Sequence, residues 1–230
     1  MATSIDGNRA AREAVLGRVR KALGRASADE GALARARAQV AEHRHGPRPA
    51  LPGDLVATFI DRATAMESSV ERLATRADIP VAVARYLDAL ELPAAIAEQK
   101  SHAGVCWPAF ADLDWAGAGL AIEARPTAGA DRLGITGVLC AIAETGTLVV
   151  TSGPATPTAT TLLPDTHVAV LSERDIVPGM EEAFARVRAP GGGMPRAVNL
   201  ISGPSRTGDI EQTIVLGAHG PYRVHILLLP

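Results

Sequence analysis

Aromatic residues are scarce in this chain of 230 residues, at 3%. A core must therefore be assembled from Ala, Val, Leu and Ile, and stacking platforms for bases, sugars or flavin rings are few. Cysteine is scarcer still: Cys106 and Cys140 are the whole complement, and neither belongs to a C-x-x-C pair. A [4Fe–4S] centre takes four thiolates, and a structural zinc site takes several Cys or His at close spacing. No cofactor or metal is therefore expected on this chain itself. Two isolated cysteines make no disulfide framework, which suits a reducing cytoplasm. No apolar run of roughly 18 residues occurs, so no membrane span is expected. An excess of one charge sign is missing too: the net charge is -2, which argues against a nucleic-acid binder.

What is present is ordinary globular composition, 47% hydrophobic and 21% charged, in a chain long enough for one α/β domain with extensions. The segment MATSIDGNRAAREAVLGRVRKALG places Val15, Leu16, Val19 and Leu23 at helical spacing with arginines between them. That is an amphipathic helix and not a secretory signal, so a cytoplasmic location is expected. Asp6 is a candidate cap for it and Gly24 a candidate stop. A second helix over Asp29 to His43 has a thin apolar stripe, Leu33 and Val40. Residues 1–45 thus read as a helical extension, and residues 46–54, with Pro47, Pro49 and Pro52, as a linker. Residues 55–230 read as the main domain. Asp54 is a fair N-cap for a helix with Val56, Phe59, Ile60, Met66, Val70 and Leu73 on one face. A shorter helix follows over Pro80 to Leu90.

From about residue 94 strands alternate with helices. Strands are expected at Gly119–Ala124, Thr147–Thr151, His167–Leu171, Ala197–Ser202 and Val224–Leu229, with a helix over Pro178–Arg188 and a turn at Gly191–Gly193. Short continuous apolar strands separated by a helix imply an α/β sheet with crossover helices on both faces. Trp107 and Trp115 read as packing residues. His167 and His225 fall in strands and read as packing or surface residues, and no histidines and carboxylates assemble a metal site by spacing.

Two polar, glycine-containing segments carry the candidate chemistry. In the first, Glu144-Thr145-Gly146 precedes an apolar strand. Glu144 can serve as a general base or nucleophile, or simply accept amides of its own turn. In the second, strand residues run into Ser202-Gly203-Pro204-Ser205-Arg206-Thr207 and on to Asp209. Loops at the carboxyl ends of strands in an open α/β sheet form the ligand crevice. There Ser205 and Thr207 offer hydroxyls, and Arg206 offers a bidentate fork for a carboxylate or phosphate. The alternative is that Arg206 pairs with Asp209 to hold the loop while the hydroxyls make turn bonds. His219, bracketed by Gly217 and Gly220, is a candidate base or anion donor, or a structural hydrogen-bonder.

The combined order of AETGTLVV, LLPDTHVAVL, ISGPSRTGDIE and GAHGP resembles the LUD-domain family, most closely over Leu133 to Pro230. Gly208 and Ala218 are small departures from its usual Ala and Val. The resemblance implies a fold similar to the NagB/RpiA/CoA transferase-like α/β proteins. It also implies a component of L-lactate oxidation to pyruvate, with iron–sulfur clusters in two partner proteins and none here. The crevice of Glu144, Thr145, Gly146, Ser202, Gly203, Ser205, Arg206, Thr207, Asp209 and His219 would then bind a small carboxylate or help dock partners. The alternative is a stand-alone CoA-transferase-like or isomerase-like enzyme using Glu144, whose E-x-G turn resembles that of CoA transferases of this fold. Shared fold alone does not transfer a reaction.

Overall fold

The computed structural model describes residues 5–24, 29–90, 102–188, 193–210 and 213–230, of which 5–7, 208–210 and 213–215 are described by backbone alone. The chain divides into two compact units, Met1–Arg48 and Pro49–Pro230. The first holds helices α1 (Ile5–Ala22) and α2 (Glu30–Glu42). Asp29 caps α2 by accepting the Gly31 N–H at 2.9 Å, and no residue of α2 is buried. Asp6, expected as the cap of α1, lies inside it because that helix already starts at Ile5. Among the described residues no helix is long and apolar enough to cross a membrane.

The second unit begins with α3 (Leu55–Ala65). Asp54 Oδ1 accepts the Ala57 N–H at 3.0 Å, satisfying one of the orphan amides of the first turn. Phe59 and Ala63, one helical turn apart, are fully buried. The helix was expected to run on through Val70 and Leu73, but it stops at Ala65. The Ser68 N–H reaches back to the Ala63 carbonyl and the Glu67 N–H to that of Thr64, with Glu67 at φ 65°. This is a Schellman-like end, which reverses the chain. Val70 therefore lies on strand β1 (Ser69–Arg72). Helix α4 (Ile79–Asp88) follows, with Pro80 in its first turn and Ile79, Ala82, Val83 and Leu87 buried.

Strands β2 (Ala103–Cys106), β3 (Ala121–Ala124), β4 (Leu133–Gly137), β7 (Thr166–Ser172) and β12 (Arg223–Leu229) join β1 in a parallel sheet. Its order is β1-β12-β7-β4-β2-β3, and its helices flank it. The central strands β4, β7 and β12 are buried along almost their whole length, as parallel strands covered on both faces must be. Strands β2 and β4 carry little sequence signal because each holds a glycine where neighbours press in. A Cβ at Gly104 would strike Leu133, and one at Gly134 the Thr160 carbonyl. Trp107 and Trp115 are buried; their indole N–H groups donate to the carbonyls of Pro157 and Phe110.

Strands β5 (Cys140–Ile142), β6 (Thr147–Thr151), β8 (Ile176–Val177) and β9 (Val198–Ile201) form a second sheet in the order β8-β5-β6-β9. Helix α5 (Met180–Arg188) contributes Ala183 and Val187 to a small core with Cys140, Ile142, Val149 and Val177. Strands β10 (Arg206–Ile210) and β11 (Thr213–Leu216) make a separate antiparallel hairpin. Of the expected Gly191–Gly193 turn, residues 191 and 192 lie outside the described residues.

Candidate functional site

The two polar segments meet. Glu144, Thr145 and Gly146 form the turn between β5 and β6, which pair antiparallel. Strand β6 in turn pairs antiparallel with β9, Leu148 opposite Ile201. That register brings Thr147, at the start of β6, beside Ser202, just past the end of β9. Their hydroxyls are 2.7 Å apart, and the Thr147 hydroxyl is also 2.7 Å from that of Thr145. A row of three hydroxyls, Thr145–Thr147–Ser202, thus ties one turn to the other.

Both turns press on the end of α3. Gly146 sits at φ +66° and Gly203 at φ +80°, a region that strains other residues. A Cβ on Gly146 would strike the backbone of Arg62 and Ala63, and one on Gly203 would overlap the Met66 carbonyl oxygen. Glycine is required at both positions for two reasons at once: the sign of φ and the close approach of helix backbone.

Arg206 opens β10. One of its guanidinium nitrogens, Nη2, lies 2.8 Å from Glu67 Oε2 and donates to the Met66 carbonyl at 3.3 Å. Glu67 is thus a carboxylate partner of this guanidinium; the side chain of Asp209, the partner expected for Arg206, lies outside the described residues. Thr207 is buried and stands opposite Val215 in the hairpin. Ser205 holds the hairpin's base. Its N–H donates to the Pro221 carbonyl at 2.9 Å, and its carbonyl accepts the Gly217 N–H at 3.0 Å. Its hydroxyl accepts the His219 N–H at 3.3 Å. The backbone of His219 is thereby fixed beside Ser205, and its residue is solvent-exposed. The Glu144 N–H donates to the Pro178 carbonyl at 3.2 Å, and the residue is half-buried.

One expectation is corrected here. Strand β9, which feeds the Ser202–Thr207 segment, belongs to the second sheet and not to the parallel one. The segment docks against Met66 and Glu67, just before β1, and against Pro221, just before β12. It therefore lies at the amino ends of two neighbouring parallel strands, not at their carboxyl ends. At the carboxyl ends of β2 and β4, where the strand order reverses, Gly137 lies under the rings of Phe110 and Trp107.

Sequence reasoning missed Glu67, Thr147 and the Met66 carbonyl. Met66 is 140 residues from Arg206, and only the strand pairing brings them together. It also missed a pair joining the exposed Ser69 of β1 to the buried His225 of β12. The Ser69 hydroxyl is 2.8 Å from His225 Nδ1, and Tyr86 stacks on that imidazole at 4.0 Å between centroids. Burial pushes His225 down to about 4. Both cysteine thiols are buried and pushed up to about 11 by desolvation, which leaves them unreactive. Among the described residues no group of three or more His, Cys, Asp or Glu is placed to hold a metal ion.

Chemically, the arrangement offers a guanidinium at a rim, hydroxyls that donate or accept, and a carboxylate and an imidazole on adjoining turns. A small anion carrying a hydroxyl group suits that set.

Comparison with known proteins bears on the whole second unit. A family model described as the LUD domain matches residues 57–229. The chain is 37% identical over 94 residues to lactate utilization protein C of Halalkalibacterium halodurans, covering 40% of this chain and 41% of that protein. It is 37% identical over 101 residues to lactate utilization protein C of Bacillus subtilis, covering 43% of this chain and 42% of that protein. These matches thus span about two fifths of the curated relatives' length. A crystal structure of a DUF162 family protein from Deinococcus radiodurans superimposes with a TM-score of 0.55 at 22% identity, covering 79% of this chain and 100% of that chain. That likeness concerns the fold.

Proposed function

The chain belongs to the LUD domain family, and from that premise we propose that it is a component of a system oxidising L-lactate to pyruvate in the cytoplasm. In this reading it binds a small carboxylate or docks partners, and two separate iron–sulfur proteins carry the electrons. One observation carries the reading: the hydroxyl row Thr145–Thr147–Ser202 joins the two polar turns, and Gly203, next to Ser202, packs on the same Met66 carbonyl that accepts from the Arg206 guanidinium. Relatives that share about 37% identity are named lactate utilization protein C, which supports the substrate class. Two cysteines, both buried, fall short of the four thiolates of a [4Fe–4S] centre, and this reading therefore assigns the clusters to the partners.

In this reading the carboxylate of the ligand meets Arg206, whose planar fork matches it in geometry. The 2-hydroxyl of the ligand exchanges hydrogen bonds with the Ser and Thr hydroxyls. His219 and Glu144 stand on the flanking turns as proton acceptors. The test is reconstitution: L-lactate-dependent reduction of a dye by the purified proteins, with and without this chain. Omission should abolish the rate. An undiminished rate without the chain would sink the proposal.

A second reading is favoured by the setting of Glu144. Its backbone is pinned in a tight turn, and no hydrogen bond or ion pair joins its carboxylate to another described residue. A carboxylate left without such a partner is available as a nucleophile, which would suit a stand-alone transferase or isomerase. Turnover of a CoA thioester or sugar phosphate by the isolated chain, lost in Glu144→Gln, would establish it. Absence of turnover by the wild type removes it.

A further inference from the structure

Glu67 breaks a local rule. Among the described residues only His43 and Glu67 adopt positive φ without being glycine. Glu67 stands just past the end of α3, in the left-handed position that glycine ordinarily fills. A non-glycine residue there carries a backbone penalty. Such departures concentrate where a side chain has work to do.

The work of this side chain is visible. Its carboxylate lies on Arg206 at 2.8 Å, the guanidinium that the proposed ligand would need. The pair is held in place from both sides. The Met66 carbonyl accepts from the same nitrogen of Arg206, and Gly203 is packed so closely on Met66 that no Cβ fits between them. The helix end and the Ser202–Arg206 turn therefore form one locked unit, and the two charged groups cannot drift apart by backbone movement alone. Yet the pair is open to water: the Glu67 side chain is 63% exposed and that of Arg206 35%. A diffusible anion can reach the guanidinium, and the resident carboxylate can swing away at little cost, since exposed ion pairs contribute little.

We infer that Glu67 is a built-in placeholder, a tethered carboxylate that occupies Arg206 until a small monocarboxylate displaces it. The inference rests on the reading of this rim as an anion site and adds its regulation. A resident carboxylate keeps the guanidinium paired in the empty state. It also sets a threshold: an anion must bind Arg206 better than a neighbouring glutamate does. Weakly held anions such as chloride fail that test. A carboxylate with an adjacent hydroxyl passes it, because the Thr145–Thr147–Ser202 row adds contacts that the Glu67 side chain does not make. Selectivity then comes from competition inside the protein and not from a closed pocket.

The experiment is calorimetric titration of the full chain with L-lactate, pyruvate, acetate and chloride, in wild type, Glu67→Gln, Glu67→Gly and Arg206→Gln. Both Glu67 variants should bind L-lactate and pyruvate more tightly, by about two- to fivefold, the range that an exposed ion pair commands. They should also gain measurable affinity for acetate and chloride, narrowing the preference for the hydroxy acid. Glu67→Gly relieves the backbone as well, so it should melt no lower than wild type, which separates loss of the carboxylate from loss of fold. Arg206→Gln should bind none of the four. If both Glu67 variants bind like wild type, or more weakly, while Arg206→Gln loses binding, the placeholder is overturned and the anion site stands. If neither wild type nor the Glu67 variants bind any of these anions, both fall together.

Discussion

Single residues in this protein are constrained mainly by what lies within a few ångströms of them, and three of them make sharp tests. Gly203 must have positive φ and must also admit the Met66 carbonyl. Gly203→Ala violates both conditions, and its expected cost is about 1–3 kcal/mol, read as a lower urea midpoint. His167 and His225 are buried on adjacent strands. His167 Nε2 lies 2.8 Å from the Thr136 hydroxyl, and desolvation pushes both imidazoles from the usual 6.5 down to about 4. Each is therefore neutral in the folded protein at pH 5 and protonated in the unfolded chain. The unfolded state binds more protons between about pH 6.5 and 4, so stability is full above that window and is lost as the pH falls through it. The urea midpoint should drop between pH 7.5 and pH 5, and His167→Gln should flatten the drop. A pH-independent midpoint in the wild type would contradict the burial argument.

Elements are positioned by their ends as much as by their faces. Helix α3 is capped at its start by Asp54 and reversed at its end by Glu67, and this short helix carries the backbone against which both polar turns rest. Asp54→Ala leaves the first turn's amide unsatisfied, and a loss of about 1 kcal/mol is expected in chemical denaturation. The hydroxyl row is likewise a matter of element pairing. It exists because β6 is shared between β5 and β9 in the second sheet. Thr147→Val keeps the shape of a buried strand residue but removes the central hydroxyl. It should weaken binding of a 2-hydroxy acid by about tenfold, the effect of losing a hydrogen bond or two worth ~1 kcal/mol each, while changing acetate binding little. Equal losses for both ligands would place the hydroxyl row outside the site.

At the scale of the whole molecule, the unit Pro49–Pro230 has its own continuous core, built on β4, β7 and β12 and closed by α3 and α4. A chain beginning at Pro49 should unfold in urea in one cooperative transition, and a broad loss of structure with no such transition would contradict a self-contained core. The sequence by itself determined a good deal of this. Strands such as Thr147–Thr151 and Val198–Ile201 were legible because they are short apolar runs, and Asp54 and Pro80 marked helix starts because capping and fixed φ are local physics. The polar turns at Glu144 and Ser202–Arg206 were legible because their residue types have few other uses in an apolar domain. Strands β2 and β4 were hidden by Gly104 and Gly134, whose reason for being glycine lies in neighbours distant along the chain. Only the tertiary structure decided that the second polar turn leaves an antiparallel strand and returns to the amino ends of β1 and β12. Only it gave Arg206 its partner in Glu67. Pairing register and ion-pair choice depend on which distant backbones come into contact, and no local preference encodes that.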